Sequence, residues 1–159
     1  MLGVQKTIDL SKSTDKFDDL KCHIRDSIFH YTDECGFAGI KATSFINPSG
    51  SDCTRGPLTF ASDYCGSKLG NVCLIDTNGT DDETLYDVLC CRLGLQKIER
   101  VYLLFMKSSI KQHLVKHDNN VCNGSLYLPG IEKGYHGKLS IDYIGKVYEI
   151  IFKRHAKEQ

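Results

Sequence analysis

The apolar positions change period several times along the chain. From Asp15 to Ile28, the residues Phe17, Leu20, Ile24 and Ile28 recur at three- and four-residue steps, the spacing of a short amphipathic helix. IFHYT, residues 28–32, then reads as a short strand. Asp33 follows as an N-cap for a second helix, DECGFAGIKAT, whose Phe37 and Ile40 face the core. SFINPSG leaves that helix as an extended piece and ends in a Pro-Ser-Gly turn. PLTFAS predicts a strand with proline at its first position, where a missing N–H does least harm. DDETLYDVLCCRLGL predicts a third helix, with an acidic first turn, a stripe of Leu85, Val88, Leu89 and Leu93, and Gly94 near its end. ERVYLLFMKSS is a strongly apolar strand and GSLYLPG a shorter one. SIDYIGKVYEIIFKR holds one or two more strands, with Gly145 at a turn or bulge.

Four stretches carry weaker patterns. Residues 1–15 are polar and without a period, which predicts a flexible N-terminal arm. Residues 63–82 are rich in glycine and show no clear repeat. IKQHLVKH reads as a short helix or turn, and IEKGYHGKL as a glycine-bearing loop. Helices cluster early and strands occur throughout, without strand-helix-strand alternation. That order predicts an α+β fold, with residues 16–159 forming a single domain.

Composition narrows the function classes. Twenty basic and twenty acidic residues give zero formal charge, so a polyanion-seeking basic surface has no support and nucleic acid is not an expected partner. No apolar run reaches the ~18 residues that a membrane span needs, and no basic segment followed by an apolar run marks a secretory signal. A cytoplasmic protein is therefore expected, although NGT at Asn78 and NGS at Asn123 fit the glycosylation acceptor and keep secretion open. The eight cysteines then read mostly as reduced, small, buried side chains. His113, His117 and Cys122 supply at most three zinc ligands where a structural site wants four, so no metal is expected.

Common chemical templates are missing: there is no GxGxxG, no GxxxxGK[ST] and no GxSxG. The candidate chemistry lies in SIFHYTDECGFAGI. A histidine at a strand end can donate to a ribose hydroxyl, and Thr32 can add a polar contact. The helix that follows would aim backbone N–H groups at phosphate or ribose oxygens. The plainer reading has His30 and Thr32 as half-exposed strand residues, with Tyr31 filling the core.

The wider context resembles a known pattern. IFHYTDECGFAGIKATSFINPSG is similar to the first block of the ADP-ribosyltransferase superfamily, in its toxin-type members with a His-Tyr-Thr start. Ile28-Phe29, His30-Tyr31-Thr32, Gly36 or its neighbours, Ile40, and Ile46 through Ser49 fill the slots of that block. GPLTFAS resembles the second block, and SLYLPG resembles a later Tyr-Val-Ile-Pro-Gly strand. The likeness covers residues 26–65 well and the rest loosely.

The resemblance implies a compact split β-sheet with short flanking helices and a cleft for NAD, used as a substrate. It implies a mono-ADP-ribosyltransferase that moves ADP-ribose to a protein, a nucleic acid, a small molecule or water. The alternative is a catalytically degenerate domain that binds a nucleotide, ADP-ribose or a partner protein. By the same likeness His30 contacts a ribose, and Tyr31, Thr32, Thr59, Phe60, Ser62 and Tyr64 line the nucleotide. Thr59 holds the slot where the family has a stacking tyrosine, so Phe60 or Tyr64 would have to stack instead. The family's third residue is an acid that offsets positive charge on the ribose carbon as nicotinamide leaves. NGSLYLPG has no acid there, which leaves Glu132, beside Tyr135 and His136, as the candidate, with Asp118, Asp142 and Glu149 the other carboxylates of that region.

Overall fold

The structure is a computed structural model that describes residues 2–48, 71–93, 99–116 and 131–154. Seven strands form one mixed sheet: β1 (Lys6–Asp9), β2 (Ile28–Thr32), β4 (Asn71–Asp76), β5 (Arg100–Met106), β6 (Leu114–Lys116), β7 (Glu132–His136) and β9 (Ile144–Ile151). Their order is β1-β9-β5-β2-β4-β7-β6; β1 runs parallel to β9 and every other pair is antiparallel. β3 (Phe45–Ile46) and β8 (Leu139–Ser140) pair as a separate two-stranded ribbon. Helices α1 (Lys16–Ile24), α2 (Glu34–Thr43) and α3 (Asp82–Asp87) complete the α+β fold.

The two faces of the sheet bury different cores. On the helix face, Leu20 and Ile24 of α1 and Leu85 of α3 pack with Phe29, Tyr31, Cys73, Ile75, Leu103 and Ile150. On the ribbon face, Phe37 and Ile40 of α2, Ile46 of β3 and Leu139 of β8 pack with Ile28, Val72, Leu74, Tyr102, Leu104 and Val147. Covering both faces explains the uninterrupted apolar run in β5, where Val101 through Phe105 are all buried. It also explains β4. NVCLID has no polar-apolar alternation because Val72 through Ile75 are all buried, so the period-2 signal of a half-exposed strand is missing.

Each helix begins as its sequence demands. Asp15, Asp33 and Asp81 are N-caps, accepting from Asp18 N at 3.0 Å, Gly36 N at 2.7 Å and Thr84 N at 2.8 Å. The third helix departs from a uniform α-helix. Its backbone widens to a π turn over Val88–Arg92, where Leu93 N donates to Val88 O at 3.0 Å, and Val88, Leu89 and Leu93 stay buried. Gly145 is the bulge expected in β9: the register with β5 shifts between Phe105 and Met106, which pair with Lys146 and Ile144.

Three sequence expectations need correction. Residues 6–9 are a strand, not part of a loose arm; β1 is held by Thr7 Oγ1 donating to Glu149 Oε1 at 2.9 Å and by Arg154 Nε against Asp9 Oδ2 at 2.8 Å. Residues 132–136 are strand β7 and not a loop. Gly134 serves close approach there, because a Cβ at that position would come within 2.9 Å of Asn71 Nδ2. IKQHLVKH divides between a 3₁₀ turn, Ser108–His113, and strand β6. Cysteine burial is mixed: Cys73 is buried and Cys90 half-buried, but Cys22 and Cys35 are exposed. Among the described residues no helix is long and apolar enough to cross a membrane.

Candidate functional site

The site begins with how β2 is anchored. Thr77 is fully buried just after β4; its hydroxyl donates to Ile24 O and accepts from Ser27 N at 3.0 Å, while Thr77 N donates to Ser27 O at 2.8 Å. These bonds tie the end of α1 to the first residue before β2. From there β2 runs alongside β5 for four residues, Phe29 to Thr32. Its pairing with β4 covers only Ile28↔Asp76 and Phe29↔Ile75. Beyond Phe29 the two strands part.

His30 occupies the parting. Its Nδ1 lies 3.0 Å from the carbonyl oxygen of Cys73, a group that continued β2–β4 pairing would otherwise engage. A carbonyl can only accept, so Nδ1 carries the proton. Burial holds the His30 pKa below its ordinary value, against an opposing effect of the bond to Cys73. The ring is therefore neutral near pH 7, and its Nε2 is a hydrogen-bond acceptor. With Nδ1 engaged by Cys73, Nε2 is the ring nitrogen that can meet a hydrogen-bond donor.

Alternation decides which predicted residues His30 can share a site with. Phe29 and Tyr31 belong to the helix-face core, so His30 and Thr32 project to the ribbon face. Tyr31 is buried in that core, and its ring still lies near that of His30, with centroids 6.4 Å apart and planes 23° from parallel. Thr32 does share the face. Its Oγ1 sits only 1.9 Å from where a Cβ on residue 36 would fall, so Gly36 is what lets the first turn of α2 close onto the end of β2. Phe37, one residue on, stacks on Tyr102 with ring centroids 4.7 Å apart.

Glu132 lies on the other side of the sheet. It pairs with Ile75, a residue of the helix-face core, and is 3% exposed with Cys73 Sγ at 3.7 Å from Oε1. Strand alternation starts the Glu132 and His30 side chains on opposite faces of the sheet. The strand carboxylates on the His30 face are others. Asp76 lies opposite Ile28, with Oδ1 accepting from Asn78 N at 3.0 Å and Asn78 Nδ2 at 2.7 Å. Glu149 lies opposite Tyr102, which itself lies opposite Thr32.

Glu149 anchors a polar row across four strands. It accepts from Thr7 Oγ1 at 2.9 Å and Tyr102 OH at 3.2 Å, and pairs with Arg100 Nη1 at 3.2 Å. Burial, then the Glu149 charge, pushes the Tyr102 hydroxyl above its usual pKa, so it stays a donor. The sequence held a signal for this group: Glu149 is the one acid inside the apolar run KVYEII. Only the strand register shows that it shares a face with His30.

Thr59, Phe60, Ser62, Tyr64 and Asp118 lie outside the described residues. Among the described residues no group of three or more His, Cys, Asp or Glu is placed to hold a metal ion. Compared with known proteins, the chain matches no family model, no curated protein and no solved structure.

Proposed function

We propose that this chain is a nucleotide-recognition domain of ADP-ribosyltransferase type, which takes NAD or an ADP-ribose-bearing ligand where β2 leaves β4. β2 and β4 pair at only two positions within one seven-stranded sheet, and this short seam supports the reading. The observation that carries the reading is His30 itself, oriented across the parting by the Cys73 carbonyl and kept neutral by burial, with Nε2 an acceptor for a ribose hydroxyl. Thr32 adds a hydroxyl on the same face, and Gly36 brings the first turn of α2 against it.

Recognition is favoured over transfer because of the acid. Offsetting an oxocarbenium-like ribose needs a carboxylate aimed at the reacting carbon. Glu132 is buried on the opposite face, while Asp76 and Glu149 are engaged in hydrogen bonds within the chain.

Calorimetry with NAD and with ADP-ribose, run beside an assay of nicotinamide release, tests the proposal. Saturable binding without nicotinamide release is expected. His30→Ala should weaken binding by up to about tenfold, the value of one net hydrogen bond, and Glu132→Gln should leave it unchanged. Failure of the unaltered protein to bind either ligand would sink the proposal. Nicotinamide release that His30→Ala abolishes and Glu132→Gln spares would make the chain a transferase with its acid elsewhere.

A further inference from the structure

The helix face carries a second constellation, across the sheet from His30. Three elements bring basic side chains to one ring, that of Tyr148 in β9. Lys6 of β1 holds Nζ 5.8 Å from the ring centroid, and Lys146 of β9 holds its Nζ at 4.9 Å. His23 of α1 presents its ring edge-on to Tyr148 at 6.1 Å. Phe105 of β5 packs against the same ring at 5.0 Å and also lies under Lys146 Nζ, at 5.1 Å.

These groups are short of negative charge. Among the described residues, the side chains of Lys6, His23, Lys146 and Tyr148 make no hydrogen bond and no ion pair. Neighbouring cations of α1 behave differently: Lys21 pairs with Asp18 and Asp82, and Arg25 pairs with Asp82. The aromatic faces offset part of the lysine charge. Both ammonium groups nonetheless lie within 6 Å of one ring centroid, and both act electrostatically on His23. The charged groups facing His23 are Lys6 from β1 and Lys146 from β9; with burial the first cause, they hold its pKa below the ordinary value.

We infer that Lys6, Lys146 and His23, gathered around Tyr148, form a binding site for a phosphate-class oxyanion. The anion accepts from the two lysine Nζ groups. His23 gains a proton on binding, because the anion replaces net repulsion by attraction. Affinity therefore falls as pH rises through the His23 midpoint of the complex. The site does not depend on what binds at His30, which projects from the other face.

Following the His23 ring resonances by NMR, assigned with His23→Gln, tests this directly. Inorganic phosphate is titrated against sodium chloride of equal ionic strength. A saturable shift is expected with phosphate, together with a rise of about one unit in the His23 midpoint, a tenfold gain in proton affinity. Combined Lys6→Gln and Lys146→Gln should raise the midpoint in chloride and weaken the phosphate response at least tenfold. A phosphate effect no larger than that of chloride in the unaltered protein overturns the site, whatever the variants do. So does an undiminished response in the folded double variant.

Discussion

The two faces of one sheet handle their polar groups in opposite ways. Among the described residues, the helix face is an apolar core that encloses one buried carboxylate, Glu132, beside Cys73. The ribbon face covers its centre with α2 and the β3–β8 ribbon but carries a polar row along one end: Thr7, Glu149, Tyr102 and Thr32, on four adjacent strands. His30 lies one pleat from that row. The difference shows why spacing in the sequence is a poor guide to which residues meet. Glu132 sits in a polar-looking stretch and is buried, whereas Glu149 sits in an apolar stretch and joins the polar face.

The largest test of this contrast is to open the helix face at its centre. Leu103→Ala removes a fully buried side chain of β5 and should cost about 2–5 kcal/mol. Chemical denaturation reads this as a lower midpoint with an unchanged slope; a loss under 1 kcal/mol would mean the core is not packed as described.

Gly36→Ala strikes the ribbon face. Alanine is the better helix former, yet its Cβ would overlap Thr32 Oγ1, and we expect a loss of about 1–3 kcal/mol. Adding Thr32→Ala should restore most of it. If the double variant is no more stable than Gly36→Ala alone, the close approach is not the cause.

The next effect is pH-dependent. His30 has a folded pKa below its unfolded value, so the unfolded chain takes up the proton first as pH falls. Its contribution is complete above the unfolded value of about 6.5 and declines as pH drops below that point. Stability measured from pH 8 to pH 5 should fall less steeply in His30→Gln than in the unaltered protein. Equal slopes would show that His30 titrates as a solvated group.

The smallest effect belongs to the rim. Hydrogen bonds from Ser11 lower the Asp9 pKa to about 2, with the Arg154 pair contributing less. The unfolded value is near 3.9, so this contribution is present above pH ~4 and fades toward pH ~2. Asp9 is well exposed, so solvent screening keeps the gain small. Asp9→Asn should flatten the acid limb of the stability curve only in that window.

Local pattern carried much of the fold. The helix over residues 16–24, the Asp33 cap, strands β2 and β5 and the Gly145 bulge all follow from spacing or side-chain chemistry within a few residues. What stayed hidden is what non-local contacts decide. β1 has four mostly exposed residues and no pattern of its own; β9 makes it a strand. β7 contains Gly134, which reads as a loop residue until Asn71 is placed against it. For the candidate site, HYT at the end of a strand was visible. The direction of the His30 hydrogen bond was not, since it depends on a carbonyl 43 residues away.

The parallel pairing of β1 with β9 has a consequence for how the chain is made. Thr7 and Glu149 are 142 residues apart, so a ribosome has emitted every residue between them before β1 has this partner. Closing so long a loop late gives this edge a high contact order and a slow final step. Until then Glu149 has neither Thr7 nor β1 beside it. The polar row is therefore completed only when β9 reaches β1.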